Sequence, residues 1–226
     1  MNESYTCVHC QSKFAKEKTL YVHICEQKRR HLAKSEKHVQ MGFIAYDKFY
    51  KLSQKSDKPK TYEEFANSPY YTAFVKFGSF LHNVNPMYPE KFIDYVVTSG
   101  VKLDHWCKET LYYDYIENLI KTESVETALE RSISTMMEWA NDHDSVWNHY
   151  FHYVSLYRAL YDIKDGKISP WLVLNTDSGK KLLTQLNDDE LSSISHVIDI
   201  IFWSKKFRSA GEDLDLVRQV IKEGNL

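Results

Sequence analysis

The sequence predicts a mainly α protein with a small N-terminal ββα unit ahead of an all-α helical body. Three observations carry that prediction. The first 25 residues hold two cysteines two residues apart, followed by spaced apolar markers and a histidine. From residue 36 onward, apolar side chains recur every three or four positions, the period of a helix face. The chain also has only seven glycines, and Trp171 to Leu174 is its one short apolar run suited to a strand.

The N-terminal unit reads Tyr5-Thr-Cys7-Val-His-Cys10-Gln-Ser-Lys-Phe14, then Leu20-Tyr-Val-His23-Ile-Cys25. A two-residue gap lets a tight turn aim both thiolates at one tetrahedral ion. Phe14, Leu20 and His23 follow at the intervals of a ββα zinc finger, with twelve residues between Cys10 and His23. So small a unit cannot bury a useful core, so Zn2+ is expected to supply its folding energy. A second His or Cys is missing after the usual three to five intervening residues beyond His23, where Gln27, Lys28 and Arg29 stand. Cys25 and His31 remain as the fourth ligand. Residues two apart on a helix point about 200° apart, so Cys25 needs the helix to unwind at His23. His31 lies roughly 12 Å further along a continuous helix. Cys25 is preferred, because a terminal turn loosens more cheaply than a helix folds back. The expected metal set is Cys7, Cys10, His23 and Cys25, and His9 is expected at the surface.

Composition narrows the function classes. Of the four cysteines, three fall in the N-terminal unit and Cys107 stands alone, which argues against a disulfide framework and for a reducing cytoplasmic setting. No run of eighteen apolar residues suggests a membrane span. Residues 1–60 carry thirteen Lys/Arg against six Asp/Glu, whereas residues 61–226 carry sixteen against twenty-five. A basic arm on an acidic body is thus expected. Lys28, Arg29, Arg30, Lys34 and Lys37 cluster just past the metal motif and are assigned to nucleic-acid phosphates, those of DNA above all. The acidic body is assigned to a protein partner.

Along the chain, the punctuation suggests residues 1–32 as the finger, 33–60 as a basic helix and linker, 61–165 as a helical bundle and 166–226 as a C-terminal helical subdomain. Val39, Phe43, Tyr46 and Phe49 to Tyr50 mark a helix over 36–54, and Ser53 to Lys60 reads as a linker. Thr61-Tyr-Glu-Glu64 is a capping-box pattern, Pro69 restarts a helix, and Pro89 suits a first helical turn ending near Gly100. Asp104 and Ser124 are candidate N-caps. Ile133, Met136 and Met137 are expected inside, and Asp144 is expected to open one helix reaching Leu160. Ser178, Asn187 and Glu212-Asp213 are expected to open three final helices.

Two polar groups in the body invite chemical readings. His143, Asp144, His149 and His152 have spacing compatible with a metal-dependent phosphohydrolase or nucleic-acid-modifying site, although histidines among interleaved tyrosines are more often packed or hydrogen-bonded at the core edge. Lys102, Asp104, His105 and Cys107 suggest a Cys–His nucleophile, against which Asp104 reads as a cap and Cys107 as core. No phosphate loop or GxSxG pattern is present. Catalytic residues are therefore expected to be none.

Residues 5–31 resemble a Cys2His-Cys variant of the zinc finger. The string Cys25-Glu-Gln-Lys-Arg-Arg30, with Ala73-Phe-Val-Lys-Phe-Gly78 and Val101-Lys-Leu-Asp104, resembles an uncharacterised zinc-finger family of tailed bacteriophages. That resemblance implies a phage-encoded protein in the infected bacterial cytoplasm, and it supplies no reaction. The functional expectation is a non-enzymatic, zinc-binding, nucleic-acid-associated accessory protein of replication, recombination or transcription. The alternatives are a protein adaptor docking through the finger and a metal-dependent phosphohydrolase or nucleic-acid-modifying enzyme.

Overall fold

A computed structural model describes residues 4–226. It is mainly helical, with one two-stranded antiparallel sheet at the N-terminus. Strand β1 (Tyr5–Thr6) pairs with β2 (Lys13–Phe14), setting Tyr5 opposite Phe14 and Thr6 opposite Lys13. Two short helices follow, α1 (Glu17–Val22) and α2 (Glu26–Leu32). The chain forms two compact units, the first ending at Leu111 and the second beginning at Tyr112. Residues 61–165 thus contribute to both units, and the Ser53–Lys60 stretch joins elements within the first.

The first unit is built on α3 (Lys37–Gln54), which packs chiefly against α5 (Tyr71–Val84) and also meets α4 (Tyr62–Ala66) and α6 (Pro89–Thr98). Glycine permits the α3–α5 approach. A Cβ on Gly78 would lie 1.9 Å from the His38 carbonyl oxygen and 2.7 Å from the Gly42 nitrogen. Phe65, Phe74, Phe77 and Trp106 fill the core and are essentially inaccessible to solvent. Trp106 meets Phe74 and Phe77 edge-on, the latter at 5.2 Å and 71°. Such pairs add about 1 kcal/mol each beyond the area they bury. Thr61 and Glu64 form the expected capping box, and Pro89 opens α6.

Asp104 is no helix cap. It sits in a 3-10 turn (Leu103–His105) ahead of buried Trp106, whose indole N–H donates to the Val101 carbonyl at 2.9 Å. Helix α7 (Glu109–Thr122) starts only beyond Lys108.

The second unit is organised by α8 (Val125–Asp142), capped by Ser124. Its inner face is Val125, Ala128, Leu129, Met136 and Trp139, whereas Met137 is half-exposed rather than inside. Arg131 forms a buried two-pronged ion pair with Glu123, one prong being 2.6 Å. Asp144 adopts a left-handed conformation (φ 47°) rather than opening a helix. The expected continuous helix is instead a 3-10 turn, then α9 (Tyr150–Tyr153), then α10 (Leu156–Lys164). Val154 is extended, and the Ser155 hydroxyl caps α10 by accepting the Arg158 N–H, so the chain restarts there.

The one apolar run that could have been a strand is helix α11 (Pro170–Val173), fully buried and capped by Ser169, in keeping with the all-α body. Next come α12 (Asp177–Leu183), α13 (Asp188–Ser193), α14 (Ile200–Ser209) and α15 (Gly211–Gly224). Thr176, not Ser178, caps α12, and Asn187 caps α13 in a full capping box. Helix α15 packs on α8, α11 and α14. Its last residue, Gly224, lies against the Trp147 ring, where a Cβ would come within 2.5 Å, and accepts from Asn148 Nδ2 at 2.9 Å.

Candidate metal centre

The β1–β2 hairpin positions the first two cysteines. The Cys7 N–H donates to the Ser12 carbonyl at 2.9 Å, and the Gln11 N–H returns to the Cys7 carbonyl at 2.9 Å. Gln11 closes the turn with φ 61°. This tight loop brings Cys7 and Cys10 to one side. Helix α1 then delivers His23 and stops there: His23 is extended (ψ 123°) and caps the helix end. The chain stays extended at Cys25 (φ −91°, ψ 169°), which in turn opens α2, its sulfur accepting the Lys28 N–H at 3.3 Å. The break between α1 and α2 is the unwinding that a Cys25 ligand needs.

The ligand atoms of Cys7, Cys10, His23 and Cys25 all lie within 4.8 Å of one another. Cys7 Sγ is 4.0 Å from Cys25 Sγ, and Cys10 Sγ is 3.3 Å from His23 Nε2. A tetrahedral ion with metal–sulfur bonds of about 2.3 Å needs sulfur–sulfur edges of about 3.8 Å. The four residues therefore fit a metal ion. Phe14 packs on the His23 ring (centroids 4.7 Å apart), holding it toward the cysteines. His31 is elsewhere, its ring 5.0 Å from that of His9.

The thiols differ in acidity. Hydrogen bonding to Ser12, then to His23, pushes Cys10 down to about 6. Burial pushes Cys25 up, reinforced by the Cys10 and Cys7 sulfurs and opposed by the Lys28 N–H. Cys10 is thus mostly thiolate at neutral pH, whereas Cys25 surrenders a proton on binding a cation.

The five cations assigned to phosphate have different fates. Arg30 turns inward: its Nε pairs with Glu26 at 3.1 Å, and its Nη1 donates to the Ala66 carbonyl at 2.7 Å. Its guanidinium lies 4.4 Å from the Tyr71 ring centre, and its own carbonyl accepts the Tyr62 hydroxyl. Arg30 therefore clamps α2 onto α4 and α5 and is not free for a phosphate. Lys28 Nζ donates to the His23 carbonyl at 3.3 Å. Lys34 is exposed with its ammonium 5.2 Å from the Tyr62 ring, and Arg29 and Lys37 are exposed. Lys13, Lys16 and Lys18 on the finger itself are also exposed, a cationic surface that attention to residues 28–37 alone overlooks.

The two polar groups of the body do not assemble. Among the described residues, the four N-terminal ligands are the one set of three or more His, Cys, Asp or Glu donors that converges. His143 stacks on Trp139 (5.0 Å, 22°), its Nδ1 at 2.8 Å from the Trp139 carbonyl, and His149 meets Tyr153 edge-on. Cys107 is half-buried with its thiol pushed up by burial, the opposite of what a nucleophile needs. No helix is long and apolar enough to cross a membrane. No protein family, curated protein or solved structure matches this chain.

Proposed function

We propose that this chain is a zinc-stabilised, nucleic-acid-associated accessory protein whose N-terminal module contacts phosphates. Three thiolates and one imidazole are the donors zinc prefers, and a closed four-ligand set is structural rather than catalytic. One observation carries the nucleic-acid reading. Residues 4–37 hold eight Lys/Arg against three Asp/Glu, and of the eight only Arg30 enters an ion pair among the described residues. Seven cations free of carboxylates can displace counterions from a polyanion. The second unit, with twelve Lys/Arg against nineteen Asp/Glu, suits a basic protein partner instead. The phage-family resemblance implies an infected bacterial cell as the setting for such a partner.

Binding of labelled DNA by the full chain across a salt series tests this. Affinity is expected to fall steeply with salt, and replacing Lys13, Lys16, Lys18 and Arg29 with glutamine is expected to flatten that dependence. Salt-independent retention, or none at low salt, refutes the reading. The exposed Val8, Val22, Ile24 and Leu32 favour a second reading, a protein adaptor. An adaptor keeps its partner after nuclease digestion of the lysate, and a nucleic-acid-bridged complex does not.

A further inference from the structure

Resting on the nucleic-acid reading, we infer that the metal module takes a single strand, with a base stacked on Tyr21 in the cleft beside the cysteines. Three features of the module converge on this. First, α1 is poorly made for reading a duplex. It has six residues, about 9 Å of helix, and the next residue, His23, belongs to the ligand set. Finger helices read bases through the residue just before the helix and the third and sixth within it. Here those are Lys16, Thr19 and Val22, so one of the three reading positions carries an aliphatic side chain unable to hydrogen-bond a base edge.

Second, the module carries a stacking platform. Tyr21 is 84% exposed, on the side of α1 away from half-buried Leu20 and His23. It stands on the wall of an open cleft of about 530 Å³, shared with Val8, Leu20, Glu17 and Lys28. Apolar walls and a ring receive an unstacked base, which a paired duplex does not offer. Every base has a π-face, so such a platform is indifferent to sequence.

Third, the same module carries cations. Lys16 and Lys18 are exposed on the same short helix and its entry, and Lys28 lines the cleft. Aromatic rings interleaved with lysines are what single strands bind. Glu17 is the one carboxylate in the lining and opposes a phosphate there, so the strand's backbone runs along the lysines rather than across the cleft floor.

The full, metal-loaded chain is titrated by anisotropy against a labelled oligothymidine and against a labelled duplex of equal length, each over a salt series. The single strand is expected to bind at least about tenfold tighter, with a log–log salt slope of about −0.7 per phosphate engaged. Tyr21→Ala is expected to cost about tenfold on the single strand and little on the duplex, and Tyr21→Phe to retain wild-type binding. Metal content verifies that each variant is folded. Equal or tighter duplex binding, or an unchanged single-strand affinity in Tyr21→Ala, overturns the inference and leaves the nucleic-acid reading standing. Failure to bind either strand removes both.

Discussion

At the scale of single residues, Cys25 and Arg30 decide the most. Cys25 has two duties, offering its sulfur to the metal set and opening α2 through the Lys28 N–H. Outer-sphere changes at metal sites cost about 10–100-fold in affinity, so removing this sulfur in Cys25→Ala is expected to cost more than about 100-fold. Competition with a chromogenic chelator measures it, and a wild-type result would return the fourth ligand to another residue. Arg30 is the counter-case. Loss of its carbonyl bond and its stacking on Tyr71 is expected to destabilise the first unit by about 2 kcal/mol in Arg30→Ala. Thermal denaturation reads that loss, while metal stoichiometry stays at wild-type level. Arg30 was indistinguishable in sequence from Arg29 beside it, because nothing local says which of two adjacent cations finds a carbonyl 36 residues away.

At the scale of elements, the α3–α5 crossing inverts an ordinary expectation. Alanine for glycine within a helix normally gains about 1 kcal/mol. At Gly78 the added methyl meets the His38 carbonyl of α3, a backbone group that cannot rotate away. Gly78→Ala is therefore expected to destabilise by about 3 kcal/mol in chemical denaturation. A stabilised variant would mean the two helices are further apart than described. Local signals made most elements legible: Thr61 with Glu64, Pro89, Ser124 and Asn187 each start a helix where their chemistry says one should start. Two starts rest on equally local caps inside runs whose apolar period shows no break: the Ser155 hydroxyl accepts the Arg158 N–H to open α10, and the Asp199 carboxylate accepts the Phe202 N–H to open α14. The metal set was legible because four ligands lie within nineteen residues, whereas the exposure of Tyr21 was not, since periodicity cannot tell an outward ring from an inward one.

At the scale of the whole molecule, the two units report separately. Trp106 belongs to the first, and Trp139, Trp147, Trp171 and Trp203 to the second. Because the metal set opens α2 and Arg30 ties α2 to α4 and α5, chelation is expected to lower the unfolding temperature of the first unit by more than about 10 °C. Trp106→Phe is expected to silence the chelator-sensitive fluorescence and leave the remaining signal in place. A chelator response that survives in Trp106→Phe would show that the metal set governs more than its own unit.

The seat of Gly224 against Trp147 has a bearing on synthesis at the ribosome. Helix α15 is translated after every surface it covers, so the flank of α8, and that of α11 once it is made, stand bare until residue 211 is reached. The first unit, whose contacts are complete by Leu111, can close while translation continues. A chain arrested short of Gly211 would therefore pair a finished leading half with a trailing half still in need of a chaperone.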